Sequence, residues 1–207
     1  MAAVADLDAE FAEAAAKDGV PLEAQSFDWA SEPGHLAVED LADETGDPGV
    51  MQRAEIGVAA LDQMFTRFKG LVPVLQSCRV NRPYTAVLVH EQSLTIVEVD
   101  DMLHFSTPRL QALDLYPRET QLGFDIEEWK ALCREHAPQT DRWRYGLASK
   151  CFGWHGLQNE RAYQDAVRDI AAWVMGYPPL VRVAAIEVDG AAAYERASDE
   201  LKRRLSG

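Results

Sequence analysis

The sequence predicts a small mixed α/β fold with one central sheet flanked by helices, preceded by an acidic N-terminal arm. Three observations carry that expectation. Thr85–Val89 and Leu94–Val99 are short runs rich in β-branched residues separated by a four-residue turn, which reads as a hairpin. Ala54, Val58, Leu61, Phe65 and Phe68 recur at helical spacing, as do Ala162, Tyr163, Ala166, Val167, Ile170 and Val174. Leu180–Val188 is a further apolar run, opened by Pro178-Pro179.

Along the chain, residues 5–18 have helical composition, with Leu7, Phe11 and Ala14 or Ala15 on one side. Residues 19–47 mix prolines, Gly34 and acids, and are expected to be irregular, docking through Phe27, Trp29 and Leu36. Asp47-Pro48 is a helix start, the aspartate as cap and the proline at the first helical position. Residues 71–82 read as a short extended piece. Residues 102–158 form an irregular insert holding one helix, 125–136, with Asp125 as cap and Glu128 in the first turn. The best helix is 159–175, and a terminal helix runs over roughly 192–205. The domain plan is therefore an arm at 1–47 and an α/β domain at 48–207, with an insert at about 102–158.

The chain has 207 residues, enough to bury a core without disulfides. Net charge is −14, but residues 1–50 hold 13 acids and the single base Lys17. The rest is close to neutral and can carry a local basic face. The acidic N-terminus has neither a basic leader region nor an apolar stretch, and no run approaches a membrane span. The expectation is a soluble cytoplasmic protein with no membrane partner. No glycine-rich phosphate loop, dinucleotide fingerprint or nucleophile elbow is present.

The chemistry-bearing residues sit at the end of the second hairpin strand. Glu98 and Asp100 are two apart, so a strand puts both carboxylates on one face. Such a pair can hold Mg²⁺, which takes one or two carboxylates plus water and phosphate oxygens. His104 follows where the chain leaves the sheet, placed to move a proton. Glu55, on the helix beside the apolar stripe, is a further candidate acid. Arg161, Gln164, Asp165 and Arg168 form the polar face of helix 159–175, and Arg161, Gln164 and Arg168 are candidates for holding substrate phosphate or water.

This order resembles the PD-(D/E)XK nuclease superfamily. The resemblance rests on Glu55 on a helix, the hairpin, Val97-Glu-Val-Asp100, His104-Phe105, helix 159–175 and Leu180-Val-Arg-Val183. It is nearest the branch with the very-short-patch mismatch-repair endonucleases and the RAP domains. It implies a restriction-endonuclease-like core and a Mg²⁺-dependent phosphodiesterase acting on nucleic acid, with Glu98 and Asp100 as metal acids. Thr85 stands where the superfamily carries its first acid, after Arg82-Pro83. That departure gives the alternative, a catalytically inactive pseudo-nuclease serving as a binding or scaffold module. Ile186-Glu-Val-Asp-Gly190 repeats the acidic string, but no core helix and strand follow it.

Two further patterns stand beside these. Cys133, His136, Cys151 and His155 have the spacing of a structural zinc site, although core packing of the cysteines is the plainer reading. Arg142, Arg144 and Lys150 with Trp143, Tyr145 and Trp154 form a basic-aromatic patch suited to phosphates and bases. The acidic arm is expected to lie across residues 142–168.

Overall fold

The computed structural model describes residues 4–30, 34–77, 87–142, 151–152 and 156–205. Twelve elements follow in chain order among them: α1 (Val4–Lys17), β1 (Glu23–Gln25), α2 (His35–Thr45), α3 (Pro48–Arg67), α4 (Val72–Ser77), β2 (Val87–His90), β3 (Thr95–Asp100), α5 (Thr107–Leu113), α6 (Ile126–Thr140), α7 (Leu157–Val174), β4 (Val181–Ala184) and α8 (Gly190–Leu205). Short 3-10 turns cover Asp28–Ala30 and Met102–His104.

The four strands form one mixed sheet in the order β1-β2-β3-β4. The expected hairpin is present, with Leu88 opposite Val97 and His90 opposite Thr95 in antiparallel register. β4 lies parallel to β3, Val97 opposite Val181 and Asp100 opposite Ala184. A parallel neighbour needs a long crossover, which α5, α6 and α7 supply.

Period-two alternation divides the sheet between two helical layers. Val97, Val99, Val181 and Val183 face α1 and α8, in a core with Leu7, Phe11, Ala15, Tyr194 and Leu201. Val87, Val89 and Ile96 face a larger core built from α2, α3 and α7. Phe105, Leu113, Phe124, Trp129 and Cys133 form a third cluster around α5 and α6.

Local chemistry sets the helix ends where the sequence placed them. Asp47 Oδ1 accepts from the amides of Gly49 and Val50 at 2.7 and 3.1 Å, starting α3. Asp125 Oδ1 does the same for Glu127 and Glu128, starting α6.

Three expectations are corrected. Residues 19–47 are not an irregular arm, since they contribute β1, which pairs with β2, and α2, which packs on α3 and α7. The three-residue Glu-Ala-Gln strand has no propensity to announce it; pairing with β2 makes it a strand. Val72–Ser77 is helical rather than extended, with Pro73 in the first turn, where its missing N–H costs nothing. The acidic N-terminal segment meets 142–168 in part, the His35 amide of α2 donating to the Tyr163 hydroxyl of α7 at 3.0 Å, but its first helix goes elsewhere. α1 packs on α8, with Phe11 edge-to-face on Tyr194 at 5.4 Å and Asp18 paired to both Tyr194 and Lys202. Phe27, Trp29 and Leu36 do dock, onto the α3/α7 core. The basic-aromatic residues 143–150 and Trp154 lie outside the described residues.

α3 and α7 approach closely at Gly57, where an added Cβ would stand 2.8 Å from methyls of Ile170 and Val174. Both are stiff β-branched side chains in the core, so they have little room to move. Gly57→Leu is expected to lower unfolding stability by about 1–3 kcal/mol through overpacking. Urea denaturation followed by tryptophan fluorescence measures it.

Candidate functional site

Between β3, β4, α5 and α7 lies a buried lattice of charges. β3 presents Glu98 and Asp100 on the α7 side of the sheet, as their spacing requires. β4 presents Arg182 on the same side, opposite Glu98 in the register. α7 presents Asp165, Arg168 and Asp169, residues three and four apart on one helix face. α5 adds Arg109, whose side chain is fully enclosed. Tyr116, Trp129 and His104 close the ring.

Arg182 is the hub. Its Nη1 donates to Asp100 Oδ1 at 2.6 Å, its Nε to Asp169 Oδ1 at 2.8 Å, and its Nη2 to the Asp165 carbonyl at 3.3 Å. The second oxygen of Asp100 accepts from the Trp129 indole at 2.8 Å. The second oxygen of Asp169 accepts from Arg109 at 2.9 Å and from the Tyr116 hydroxyl at 2.6 Å. Asp165 accepts from Arg168 at 2.8 Å on one oxygen, and its other oxygen lies 3.0 Å from Nδ1 of His104. Glu98 stands 2.9 Å from Nε of Arg168, but the two atoms are not aligned for a hydrogen bond.

The electrostatics follow from that packing. Burial by itself would raise the Asp165 carboxyl, but His104, Arg182 and Arg109 outweigh it and hold the group well below the usual carboxylate range. An ionised Asp165 can only accept, so Nδ1 of His104 carries the proton. Burial opposes charging the His104 ring, yet Asp165 and Asp100 together raise its pKa. Burial pushes Glu98 up, with Arg168 and Arg182 offsetting only part of it. Asp8 of α1 feels the same lattice: burial raises its carboxyl while His104 and Arg168 pull it back down.

Of the residues singled out from sequence, Glu98, Asp100, His104 and Arg168 come together here. Arg161 reaches the rim, 3.9 Å from Asp101. Gln164 donates to Glu160 at 3.3 Å, one turn back on α7. Glu55 is corrected: it sits on the solvent face of α3, in a groove shared with His35, Glu39 and Asp43 of α2. α3 turns Ala54, Gly57 and Leu61 inward instead. Sequence reasoning missed Arg182, Asp169, Arg109, Tyr116 and Trp129. The available signal was Arg182, a charge inside an apolar strand, and the helical spacing of Asp165 and Asp169.

The fit to a divalent ion is poor. Mg²⁺ needs carboxylate oxygens at about 2.0–2.1 Å that are free to turn to it. Both oxygens of Asp100 are held by Arg182 and Trp129, and Glu98 faces a guanidinium. Among the described residues, no three His, Cys, Asp or Glu side chains are grouped to hold a metal. Cys133 and Cys151 are buried in different clusters, His136 lies beside Glu135, and His155 is outside the described residues. Ile186–Gly190, the second acidic string, is a turn and helix start; Glu187 pairs with Arg196 and Asp189 caps α8.

Residues 66–203 match the model of DUF7255, described as a family of unknown function. The match spans more than half of the chain, so the protein belongs to that family. No curated protein and no solved structure matches the chain. Among the described residues, no helix is long and apolar enough to cross a membrane.

Two outcomes follow from the lattice. Arg182→Met leaves Asp100 and Asp169 buried without their main cation, and is expected to cost about 3–5 kcal/mol of stability, read from urea unfolding. The raised pKa of His104 gives a pH dependence. A cation whose folded pKa lies above its unfolded value contributes fully below about pH 6.5 and loses that contribution as pH rises through the folded pKa. Stability is therefore expected to fall as pH rises above about 6.5 and through the raised folded pKa of the histidine. His104→Gln is expected to flatten the slope; an unchanged slope would place the titration elsewhere.

Proposed function

We propose that this member of the DUF7255 family is a nuclease-like protein that works as a binding or scaffold module, without metal-dependent phosphodiester cleavage. The observation that carries the reading is the state of Asp100, whose two oxygens are both held by Arg182 and Trp129. In the PD-(D/E)XK resemblance this residue would be a metal acid. Here it is a structural counter-ion. Thr85, in place of the expected first acid, supports the same reading from the sequence side. The mixed sheet with helices on both faces agrees with the restriction-endonuclease-like core that the resemblance implies.

The alternative, a Mg²⁺-dependent phosphodiesterase on nucleic acid, would need Asp100 and Glu98 to exchange guanidinium partners for an ion. A divalent cation beside Arg168 and Arg182 would meet two like charges in a site nearly closed to solvent, where repulsion is weakly screened. The residues present do not fit the ion, and no step is derived through it.

The test uses the purified full chain with supercoiled plasmid and a labelled single-stranded oligonucleotide, in millimolar Mg²⁺ or Mn²⁺. No cleavage is expected, and calorimetry with Mn²⁺ is expected to show no saturable heat. Divalent-dependent cleavage that disappears in Glu98→Ala would overturn the reading and restore the phosphodiesterase.

A further inference from the structure

α2 and α3 are joined by Gly46-Asp47 alone and pack side by side as an antiparallel pair. Such a pair leaves a valley on each of its two sides. α7 fills the inner valley: Tyr163 meets His35 of α2, and Ile170 and Val174 lie against Gly57 of α3. The outer valley is a groove of about 660 Å³. α3 lines it from Met51 to Asp62, about 16 Å of helix at the usual rise per residue. The groove runs along two helices, so it offers side chains and no ladder of main-chain groups. A helix, whose own peptide groups are satisfied, is the segment suited to it.

The surface that the groove offers is both apolar and acidic. Met51 is 44% exposed, Ala59 is exposed, and Leu36 and Val58 are half-buried. Exposed carboxylates stand on both walls, Glu39 and Asp43 on α2, Glu55 and Asp62 on α3. Among the described residues, no lysine or arginine lines the groove. His35 adds a separate feature at one end. Its side chain is 6% exposed and is anchored from behind, where Nδ1 lies 2.6 Å from the Tyr163 hydroxyl. Nε2 turns to the groove, 3.7 Å from Asp62 Oδ1, too far for a hydrogen bond. Burial lowers the pKa of the ring, so the histidine brings no positive charge to the groove at neutral pH.

We propose that the groove between α2 and α3 takes a basic amphipathic helix of a partner protein, packed as a third helix against the pair. Apolar residues at i, i+3, i+4 and i+7 of that helix lie on Leu36, Met51, Val58 and Ala59. The unbranched Met51 side chain adapts to what is seated on it. Lysines and arginines on the two flanks of the helix meet Glu39 and Asp43 on one wall and Glu55 and Asp62 on the other. Charge complementarity selects this partner. An acidic helix, or a second copy presenting the same four acids, would set like charges face to face. The inference is separate from the reading of the charge lattice between β3 and α7, and cleavage assays do not bear on it.

The experiment uses the full chain and a fluorescein-labelled, end-capped helical peptide of about five turns. It carries leucine and alanine at i, i+3, i+4 and i+7 and lysine on both flanks. A scrambled peptide of the same composition keeps the charge and loses the stripe, and a second control carries glutamate for every lysine. Saturable binding by fluorescence anisotropy is expected for the first peptide, about tenfold or more tighter than for the scrambled one, with none for the glutamate one. The double variant Glu39→Lys/Glu55→Lys, on the exposed walls, is expected to weaken binding about tenfold or more, with circular dichroism confirming the fold. Glu119→Lys/Glu135→Lys changes the net charge equally at exposed sites outside the groove, and is expected to leave binding within about twofold. NMR is expected to show its largest shifts at the groove residues of α2 and α3 and on the His35 ring. No saturable binding at millimolar peptide, equal binding of the scrambled peptide, or full binding by Glu39→Lys/Glu55→Lys would each overturn the proposal. A dimer in light scattering that Glu39→Lys/Glu55→Lys dissociates would make a second copy the occupant and overturn it as well.

Discussion

The position of Arg182 constrains most of the structure around it. Its guanidinium is wholly buried and meets Asp100 on β3 and both Asp165 and Asp169 on α7. Withdrawing such a charge from water costs several kcal/mol unless carboxylates meet it with good geometry. Sheet register and helix rotation are therefore tied together. If β4 slipped by one residue, Arg182 would turn to the opposite face, among Leu7, Phe11, Ala193 and Tyr194, where no acid answers it. If α7 turned by one residue, Asp165 and Asp169 would leave the hub for the apolar stripe of Ala166 and Ile170. The lattice thus serves to exclude alternative packings, more than to add net stability.

Much of this was legible in the sequence, and the illegible part has a physical cause. Hairpin, stripes and caps are local patterns, and they appear where periodicity and capping chemistry put them. Glu98 and Asp100 share a face because strands alternate. Two acids on one strand face say only that positive charge lies opposite. They do not say whether it is a metal or a guanidinium. That information sits about 80 residues away, in Arg182, and on the polar side of helix 159–175. Arg182 looked like an exception within Leu180–Val188, when it was the counter-charge for Asp100. Arg109 and Trp129 were still less visible, because they come from the segment between 102 and 158, whose helices α5 and α6 fold over the site from outside the sheet.

The acidity of the N-terminal quarter also changes meaning once it is folded. Read as a charge density, it suggests an arm lying across residues 142–168. In the structure Glu10, Glu13, Glu39, Asp40, Asp43 and Glu44 lie on the solvent sides of α1 and α2, while Leu7, Phe11, Ala15, Ala37 and Val38 are buried. Several acids have assigned partners: Glu10 accepts from the Gly190 amide, and Asp18 pairs with Lys202. Basic residues at the end of α8 therefore answer the N-terminal segment as well as their own helix dipole. α1 and α8 together close the face of the sheet that carries Val97, Val99, Val181 and Val183.

β4 joins the charge lattice to the α1/α8 core. Its odd-numbered residues spend their main chain on β3 and their side chains on the α1/α8 core. Arg182, between them, turns its side chain the other way, into the charge lattice. Removing Arg182 to test the lattice would therefore disturb the sheet as well, since a strand released from its hub need not keep its register. Replacing His104 acts on the lattice alone. The two roles are separable because strand geometry sends side chain and main chain in perpendicular directions, so that a single buried arginine can hold the interior together while Val181 and Val183 carry the pairing with β3.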